Sequence, residues 1–588
     1  MNLLNMFRQN FFHARKFSIL FLFLVISLGA ILRFYKLNST PPGLYPDETA
    51  IGYNAYSVLE TGKDEFGKSF PLYYRSYDDY KMPVYMYATA LSIKMFGLNA
   101  FSVRLLSALI GTLAIPALYF LVLELSKKKS VAYLSALFLT LNPWHLFFSR
   151  VGYEVNVATT LLVVGTLFFI MAAKRKNNMA LFVLSILAFI ISIYTYNVTR
   201  LIAPLLFLCL SFSHFRKAEN RKNLYIILTL FFVGMLPFFI SFISLQSESG
   251  FSSQKDALII GNVTKAEFLQ TRSYFIGLPS IFQKIFYNYW LFVAWNYMKN
   301  LVDFFSTSFF FTFGTHHPHE NIGGGLGMFY YFDFPLILLG AYYGIKKRVT
   351  ALYPFYLWFL LIFFVGSIIV AVPNGTRTYH VVIPFVVFAA YGAYELGKLI
   401  LKIKKNYVKR LATLGVILLI SYSMIFYLTS YFFRFPLEYA KEWRSEDQKG
   451  ILFIRSVEEK YNKIIFDDSA EFIYTSLLFY GKYPPAFYQQ NATYEPRGLV
   501  VGLSKVGKYE FRKVNWEADT KEPNVLLVVG PNENPQGVRL LATFTYPTRP
   551  VAFYYDRKIS QLPATDTAFR IYESKGIGTT GLSMGKFR

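Results

Sequence analysis

The sequence is short of cysteine and of charge, and both shortages limit what the chain can be. It has one cysteine, Cys209, so it forms no disulfide within the chain and carries no cysteine cluster for a metal. Charged residues are 16% of the 588, below the quarter that is about usual in soluble proteins. The long apolar runs are nearly free of acidic residues. These features exclude a soluble multidomain protein.

Apolar and aromatic residues are abundant instead. Hydrophobic residues make up 54% of the chain, aromatic residues 19%, and the mean hydropathy is +0.35. Many apolar runs of about 20 residues recur, each long enough to cross a hydrocarbon layer of about 30 Å. We predict a polytopic α-helical membrane protein with about 11 transmembrane helices. The runs cover about 17–34, 102–125, 131–148, 155–173, 179–195, 200–213, 224–244, 329–345, 351–372, 380–400 and 411–431.

The net charge of +25 would suggest a nucleic-acid partner in a soluble protein, but here the basic residues mark topology. With a cytoplasmic N-terminus, every basic cluster between the apolar runs falls on the cytoplasmic side. We therefore predict a multi-pass plasma-membrane protein with its C-terminal domain outside the cytoplasm and with no nucleic-acid partner. No small-residue cleavage motif follows the first run, so we expect this run to remain as a span. The clusters are 8–16, 127–129, 174–176, 216–222, 346–348 and 402–410.

Three long segments then lie outside, at about 36–100, 245–328 and 432–588. The first contains two amphipathic stretches, 48–60 and 83–96, which we predict to lie along the membrane interface, the second starting at Pro83. The last contains the strand-like runs KIIFDD and NVLLVVG around a helical stretch. We predict a transmembrane domain over 1–431 and a small extracytoplasmic α/β domain over 432–588.

Three acidic residues, at two places outside the spans, are candidates for catalysis. Asp47 and Glu48 follow the first span in PPGLYPDETAIGYNAY, and Glu154 lies in FFSRVGYEVN on the same side. Carboxylates beside a membrane are energetically costly unless they are ion-paired or hydrated, so they often belong to functional sites. Two structural roles remain open. Asp47 also fits the N-cap of helix 48–60, and Glu154 fits an ion pair with Arg150.

Cations outside the spans are candidates for a lipid phosphate. Lys81, in YDDYKMPVYMY, stands before a predicted surface helix, where an ammonium meets a phosphate as a point charge. Arginine forks also suit phosphate, although lysines that reach the interface and arginines that only anchor a helix are equally open readings. The predicted donor-phosphate residues are Lys81, Arg200, Arg377 and His380, and the predicted acceptor- or substrate-loop residues are Asp78, Asp79 and Tyr80.

A histidine-rich stretch, THHPHENIGGG, offers a weaker candidate for metal binding. It holds His316, His317, His319 and Glu320, and histidine with carboxylate binds zinc. The spacing matches no specific zinc motif.

These stretches, in this order, resemble the glycosyltransferase C superfamily, in particular the branch of protein O-mannosyltransferases and bacterial lipid A aminoarabinose transferases. The resemblance is good over about 15–215, thinner to 430 and weak in the tail. This chain has Met-Pro where the branch usually has Pro-Pro, and Glu154 where aspartate is common. The matching pieces are the Asp-Glu pair after the first span, YKMPVYMYATALSIKMFGLNAFSVRLLSALIG, LNPWHLFFSRVGYE and R-x-Y-H at 377–380.

The resemblance implies an enzyme that moves a sugar from a polyprenyl-phosphate donor to a hydroxyl of a protein, lipid or glycan, usually with inversion, at the outer face. Asp47 would be the general base, with Glu48 beside it. Glu154 would assist through hydrogen bonding or through a divalent metal shared with Asp47, the one possible cofactor. Lys81 and Arg377 would hold the departing lipid phosphate.

Three alternatives predict different features. A transporter or lipid flippase would place acids and helix breaks near the membrane midplane, whereas here the acids gather at one surface. A polymerase or ligase of surface polysaccharide would share the topology and the substrates. A non-catalytic scaffold would bind a partner through the tail, and replacing Asp47 would leave its function unchanged.

Overall fold

The computed structural model describes residues 15–76, 79–215, 221–245, 258–315, 317–370, 372–470, 474–497, 500–547, 551–555, 558–562 and 566–574. Helices dominate to about residue 438, and strands follow. The helices are α1 Arg15–Phe34, α2 Pro46–Thr61, α3 Pro83–Phe96, α4 Ala100–Ser126, α5 Lys129–Leu141, α6 Pro143–Phe148, α7 Glu154–Lys174, α8 Met179–Ile193, α9 Thr199–His214, α10 Arg221–Leu245, α11 Asn262–Ser273, α12 Ser280–Phe286, α13 Tyr289–Asp303, α14 Asp333–Lys346, α15 Tyr353–Gly366, α16 Val382–Leu401, α17 Asn406–Thr429, α18 Phe435–Glu438, α19 Asp447–Val457, α20 Tyr474–Tyr480, α21 Pro485–Asn491 and α22 Trp516–Asp519.

Each of the eleven predicted apolar runs coincides with a helix in the described part of the chain, and the polytopic helical fold is confirmed. Five helices there are long and apolar enough to span a membrane, the longest reaching over Asn406–Glu438. Five further apolar helices are shorter, at 10–17 residues. The predicted run 131–148 is divided into α5 and α6 at residue 142. Pro143 cannot continue α5, and the Asn142 side chain caps α6 by accepting a hydrogen bond from His145 N.

The two helices predicted in the first outer segment are present. α3 spans Pro83–Phe96, the range expected from its pattern. The predicted N-cap role of Asp47 is wrong, because α2 begins at Pro46 and Tyr45 is its N-cap. Pro46 occupies the first turn, where the missing N–H costs nothing, and this moves Asp47 and Glu48 inside that turn. α2 ends at Gly62, whose φ of 70° fits a left-handed helix cap.

The chain forms two compact units. The span unit comprises Met1–Asn38, Pro71–Ser92 and Phe101–Phe432, and the tail unit comprises Ser39–Phe70, Ile93–Ala100 and Phe433–Arg588. The outer segment that carries α2 thus belongs with the tail, a grouping that the sequence did not indicate.

Small residues bring helices close together within the span unit. A Cβ on Gly340 of α14 would lie 1.8 Å from Phe388 O of α16, and a Cβ on Gly392 of α16 would lie 2.0 Å from Leu336 O. Hydroxyls add polar contacts between α7 and α8, where Ser192 Oγ donates to Ala158 O at 3.0 Å. Lipid provides no hydrophobic driving force for association between helices. Close packing and hydrogen bonds from hydroxyl groups therefore hold these helices together.

The tail unit contains a mixed sheet, as expected for an α/β domain. Its strands run in the order β4-β5-β6-β3-β7-β11-β8, with β3 parallel to both β6 and β7. The interior strand β7 reads VLLVV and is buried along its whole length, as a strand covered on both faces requires. A short pair, β1 and β2, lies in the span unit, and β9 pairs with β10. The strands are β1 Tyr74–Ser76, β2 Asp79–Lys81, β3 Lys463–Phe466, β4 Thr493–Arg497, β5 Val500–Val506, β6 Tyr509–Phe511, β7 Val525–Val529, β8 Val538–Thr545, β9 Val551–Tyr555, β10 Lys558–Leu562 and β11 Thr567–Ser574.

Candidate active site

Three predicted site residues of the span unit meet around one tyrosine that the sequence did not single out. Tyr196 lies between α8 and α9, and its ring centroid is 6.1 Å from that of His380. Burial raises the pKa of Tyr196 to about 12, Arg377 and Thr376 oppose the rise, and the Glu154 carboxylate adds to it. Glu154, Tyr196, Arg377 and His380 are called the Tyr196 cluster below.

His380 is the most enclosed member of the Tyr196 cluster. Its residue is fully buried, and Nδ1 lies 2.7 Å from the hydroxyl of Thr159 on α7. Within the described residues, its Nε2 is buried and has no hydrogen-bond partner. A buried ring nitrogen without a partner is costly, so it needs an explanation such as a ligand or a water. One of its nitrogens is therefore available to a bound group.

Arg377 is half-buried in a loop that Glu320 holds in place. The Glu320 carboxylate accepts from Gly375 N at 3.0 Å, from Thr376 N at 3.3 Å and from Thr376 Oγ1 at 3.2 Å. In the described part of the chain, the Arg377 guanidinium donates one hydrogen bond, from Nη1 to Val370 O at 3.0 Å. The remaining N–H groups leave Arg377 able to bind an anion.

The Glu320 contacts bear on the histidine-rich stretch. Three hydrogen bonds make Glu320 a structural acceptor for the neighbouring loop, and the carbonyl of His319 accepts from Tyr153 Oη at 2.6 Å. His316 lies outside the described residues. Among the residues that are described, no three His, Cys, Asp or Glu side chains are grouped so that they could hold a metal ion.

Arg200 contacts the residue that follows Lys81, beside one connecting segment. Arg200 Nη2 lies 3.0 Å from the sulfur of Met82, the residue after Lys81, and Val84 N donates to Tyr194 O at 3.3 Å. The Arg200 guanidinium also stacks on the ring of Tyr73 at 5.2 Å. A cation over an aromatic face is attracted by the ring, which fixes the guanidinium plane. Segment 194–200 therefore connects the two groups of predicted phosphate-binding residues, Lys81 with Arg200 and Arg377 with His380.

The predicted loop residues before Lys81 have mixed outcomes. Asp78 lies outside the described residues. Asp79 begins β2 opposite Ser76, and nothing of its side chain is described. Tyr80 is 4% exposed. The backbone of β2 therefore holds Lys81 in a short antiparallel pair.

Arg150 has several partners besides Glu154, and its ion pair with Glu154 stays a prediction. Arg150 Nη1 donates to Leu32 O at 2.7 Å and to Arg33 O at 3.0 Å, and Nε donates to Tyr431 Oη at 3.1 Å. Both carbonyls lie in the last turn of α1, where the final carbonyl groups of a helix have no hydrogen-bond partner within the helix. Arg150 thus fastens the end of the first span.

Asp47 and Glu48 lie in the tail unit, in the first turn of α2, where the helix dipole favours negative charge. Glu48 is fully buried, whereas Asp47 is half-buried and reaches the surface. The next residue, Thr49, donates to Pro46 O at 2.8 Å and lies 2.7 Å from the hydroxyl of Thr475. Asp47 is therefore the more accessible of the two acids to a substrate.

Tyr196, Thr159 and the structural role of Glu320 were not predicted from the sequence. Tyrosine is common in this chain, Thr159 sits within a span, and Glu320 was grouped with its histidine neighbours. Its position in the chain was the one sequence signal for Tyr196. It stands four residues before Arg200, in a connection between two spans that is predicted to face outward.

Comparison with known proteins agrees with this architecture. Residues 80–240 match the family model of dolichyl-phosphate-mannose-protein mannosyltransferases. The fold matches ArnT from Cupriavidus metallidurans bound to undecaprenyl phosphate, with a TM-score of 0.50 and 13% identity over 96% of this chain and 98% of ArnT. No curated protein matches the chain in sequence.

A further solved structure is less similar. It is the Archaeoglobus fulgidus oligosaccharyltransferase tethered to an acceptor peptide, with a TM-score of 0.47 and 14% identity over 78% of this chain and 62% of that one. The family match and the ArnT fold confirm the resemblance to the glycosyltransferase C superfamily and its mannosyltransferase and aminoarabinose-transferase branch.

Proposed function

We propose that this protein is a membrane glycosyltransferase that moves a sugar from a polyprenyl-phosphate donor to a hydroxyl acceptor on the outer face of the membrane. The observation that carries the proposal is the Tyr196 cluster, in which an acid, a phenol, an arginine and a buried imidazole meet between spans, with the imidazole Nε2 lacking a hydrogen-bond partner among the described residues. The match to the mannosyltransferase family model and the fold shared with undecaprenyl-phosphate-bound ArnT support a lipid-phosphate donor.

The cations of the span unit suit the leaving group. When the bond between the sugar and the donor phosphate breaks, negative charge grows on the phosphate oxygen, and positive side chains nearby lower the barrier. Arg377 has guanidinium N–H groups available, and Arg200 contacts Met82, the residue after Lys81. We assign Lys81, Arg200, Arg377 and His380 to the donor phosphate, so that no general acid is needed for its departure.

Asp47 suits the role of general base. In an inverting transfer the acceptor oxygen attacks the anomeric carbon from the side opposite the phosphate, and its proton passes to a carboxylate. Asp47 is partly exposed in the first turn of α2, whereas Glu48 is fully buried and fits a supporting role. The carboxylate takes the hydroxyl proton, the new carbon–oxygen bond forms, and the polyprenyl phosphate leaves with the bonding electron pair. We assign Glu154 to orient the reactants from the span unit.

The charge pattern supports the orientation that this reaction needs. The basic clusters fall on one side of the spans, and the positive-inside rule makes that side cytoplasmic. We assign the site residues to the opposite, outer ends of the spans. We assign the tail domain at 432–588 to the same side, together with segment 39–70, which groups with most of it.

The test is sugar transfer by the full-length chain in liposomes with a polyprenyl-phosphate sugar, using Asp47→Asn, Glu154→Gln and Arg377→Gln. Loss of a general base lowers kcat by about 100-fold or more, so we expect that loss for Asp47→Asn. For Arg377→Gln we expect a fall in both donor affinity and kcat. Glu60→Gln, an exposed acid at the other end of α2, is the matched control and should keep full activity.

Two results would contradict the proposal. Full transfer by Asp47→Asn would remove the general base from the mechanism. Absence of transfer by the unaltered protein across a panel of lipid-phosphate sugars and acceptors, combined with solute or lipid transport in the same liposomes, would favour a transporter. Parallel reactions with a chelator and with added Mn²⁺ determine whether a divalent ion takes part.

A further inference from the structure

The tail domain makes an unusual set of contacts with the helix that bears Asp47 and Glu48. α2 precedes the tail by more than 350 residues in sequence, yet it belongs to the same compact unit and packs against α20 and α21. Ten of its 16 residues are buried. A helix that served only to connect a span to the next segment would not need a covering from so distant a part of the chain.

Two hydroxyl groups form a chain of contacts onto the first turn of α2. Thr49 Oγ1 donates to Pro46 O at 2.8 Å and lies 2.7 Å from Thr475 Oγ1. Each hydroxyl can donate or accept, so the Thr475 hydroxyl hydrogen-bonds to Thr49 with either oxygen as the donor. This chain fixes the turn in which Asp47 lies between Pro46 and Thr49.

Two further contacts fix the rest of the helix. Tyr53 Oη donates to Tyr483 O at 3.1 Å, and the Tyr53 ring meets that of Tyr488 edge-on, with centroids 5.8 Å apart. At the last turn, the Gln489 amide nitrogen lies 2.9–3.0 Å from Ser57 Oγ, Thr61 Oγ1 and Asp64 O, and its two protons serve these three acceptors. Contacts at the start, middle and end of α2 leave it little freedom to shift or rotate.

We infer that the tail domain is a built-in clamp that sets the position of the Asp47 carboxylate, with Thr475 and Gln489 as its positioning residues. The inference rests on the proposed function, because it gives the clamp a catalytic acid to position. A displacement of about 1 Å in a catalytic group costs up to about 100-fold in rate. The tail is thus part of the catalytic machinery, beyond any part it has in recognising an acceptor.

The first test compares Thr475→Val with Thr475→Ser in the full-length protein in liposomes. Valine keeps the shape but cannot hydrogen-bond to Thr49, whereas serine keeps the hydroxyl. We expect Thr475→Val to lower kcat by about 10-fold with KM for the donor unchanged, because one positioning bond is lost. Thr475→Ser should keep at least half of the wild-type kcat. Lys521→Ala, an exposed position elsewhere in the tail, is the control and should be unchanged.

A second measurement separates positioning from a general loss of folding. Hydrogen exchange of the full-length protein should speed up in residues 46–56 of Thr475→Val and stay unchanged in the sheet strands β3 and β7. Gln489→Leu should have a weaker effect, confined to residues 57–68, since it removes the bonds at the far end of α2.

The outcomes distinguish this inference from the proposed function. If Asp47→Asn loses transfer while Thr475→Val keeps its kcat, the site stands and the clamp is overturned. If Thr475→Val loses activity together with β3 and β7 protection, or if Thr475→Ser loses activity equally, the contact is merely structural and the inference also fails. If Asp47→Asn keeps full transfer, the general-base assignment fails, and the clamp has no catalytic acid to position. If the unaltered protein transfers no sugar, the proposed function itself fails.

Discussion

The two units stabilise arginine side chains in different ways. In the span unit, Arg33 is fully buried and donates to the main-chain carbonyls of Gly29, Leu139 and Thr140. In the tail unit, Arg512 donates to both carboxylate oxygens of Asp519 at 2.9 Å. The sequence supplies few acids to the spans, so helix-end carbonyls take the place of carboxylates there.

The difference has a consequence for the site. Helix-end carbonyls carry partial negative charge and need no carboxylate to receive a guanidinium. Arg33 also lies 2.7 Å from His145 Nδ1, so the ends of α1 and α5 and the start of α6 are joined by one side chain. In the described part of the chain, these contacts of Arg33 therefore use none of the acids that we propose for the site, such as Glu154.

The largest expected effect in this comparison comes from removing Arg33. Arg33→Met leaves buried carbonyl groups of α5 without a donor, and we expect the free energy of unfolding to fall by about 3 kcal/mol. The measurement is unfolding of the full-length protein in mixed micelles by titration with SDS. The matched variant Arg512→Met should lose only about 1 kcal/mol, because Arg512 is partly exposed. Equal losses would contradict the comparison.

A smaller effect concerns Asp447, a buried acid of the tail that receives hydrogen bonds from Arg444 Nε and Ser476 Oγ. Burial raises its pKa above the usual value, although Arg444 opposes the rise. A raised pKa in the folded state means that stability is present below the unfolded-state value of about 3.9 and is lost as pH rises through the folded-state pKa. Asp447→Asn does not titrate, so the stability advantage of the wild type over this variant should shrink between about pH 4 and neutrality. Thermal unfolding at several pH values checks this, and a growing advantage would contradict it.

The smallest expected effect on stability comes from Asp519, whose contribution depends on pH in the opposite direction to that of Asp447. Burial favours a higher pKa, but hydrogen bonds from Arg512 and from Asn515 N outweigh it and lower the pKa of Asp519. Stability from a lowered pKa is present above about pH 3.9 and is lost as pH falls through the folded-state value. The advantage of the wild type over Asp519→Asn should therefore shrink below about pH 4 and stay constant above it. The same thermal series measures both aspartates, and parallel slopes would show that the two carboxylates do not differ.

Part of the site was readable from the sequence because it depends on local features. Lys81 stands directly before a helix that starts at Pro83, and Glu154 begins α7, both as their neighbours indicate. Arg377 and His380 were placed at the start of a span by hydropathy alone. Their convergence around Tyr196 was not readable, since it depends on the packing of α7 and α16 against the connection between α8 and α9.

What the sequence by itself determined is the arrangement of apolar runs, because a lipid environment demands long apolar helices whatever their neighbours. The strand-and-helix pattern of the tail was set in the same local way. Only the tertiary structure decided which distant residues share a unit. In the folded chain, α2, which bears Asp47, lies beside Thr475 and Gln489. The Glu320 carboxylate accepts hydrogen bonds from the loop that bears Arg377. Such choices depend on hydrogen bonds and close packing between segments hundreds of residues apart, and no local pattern of residues encodes them.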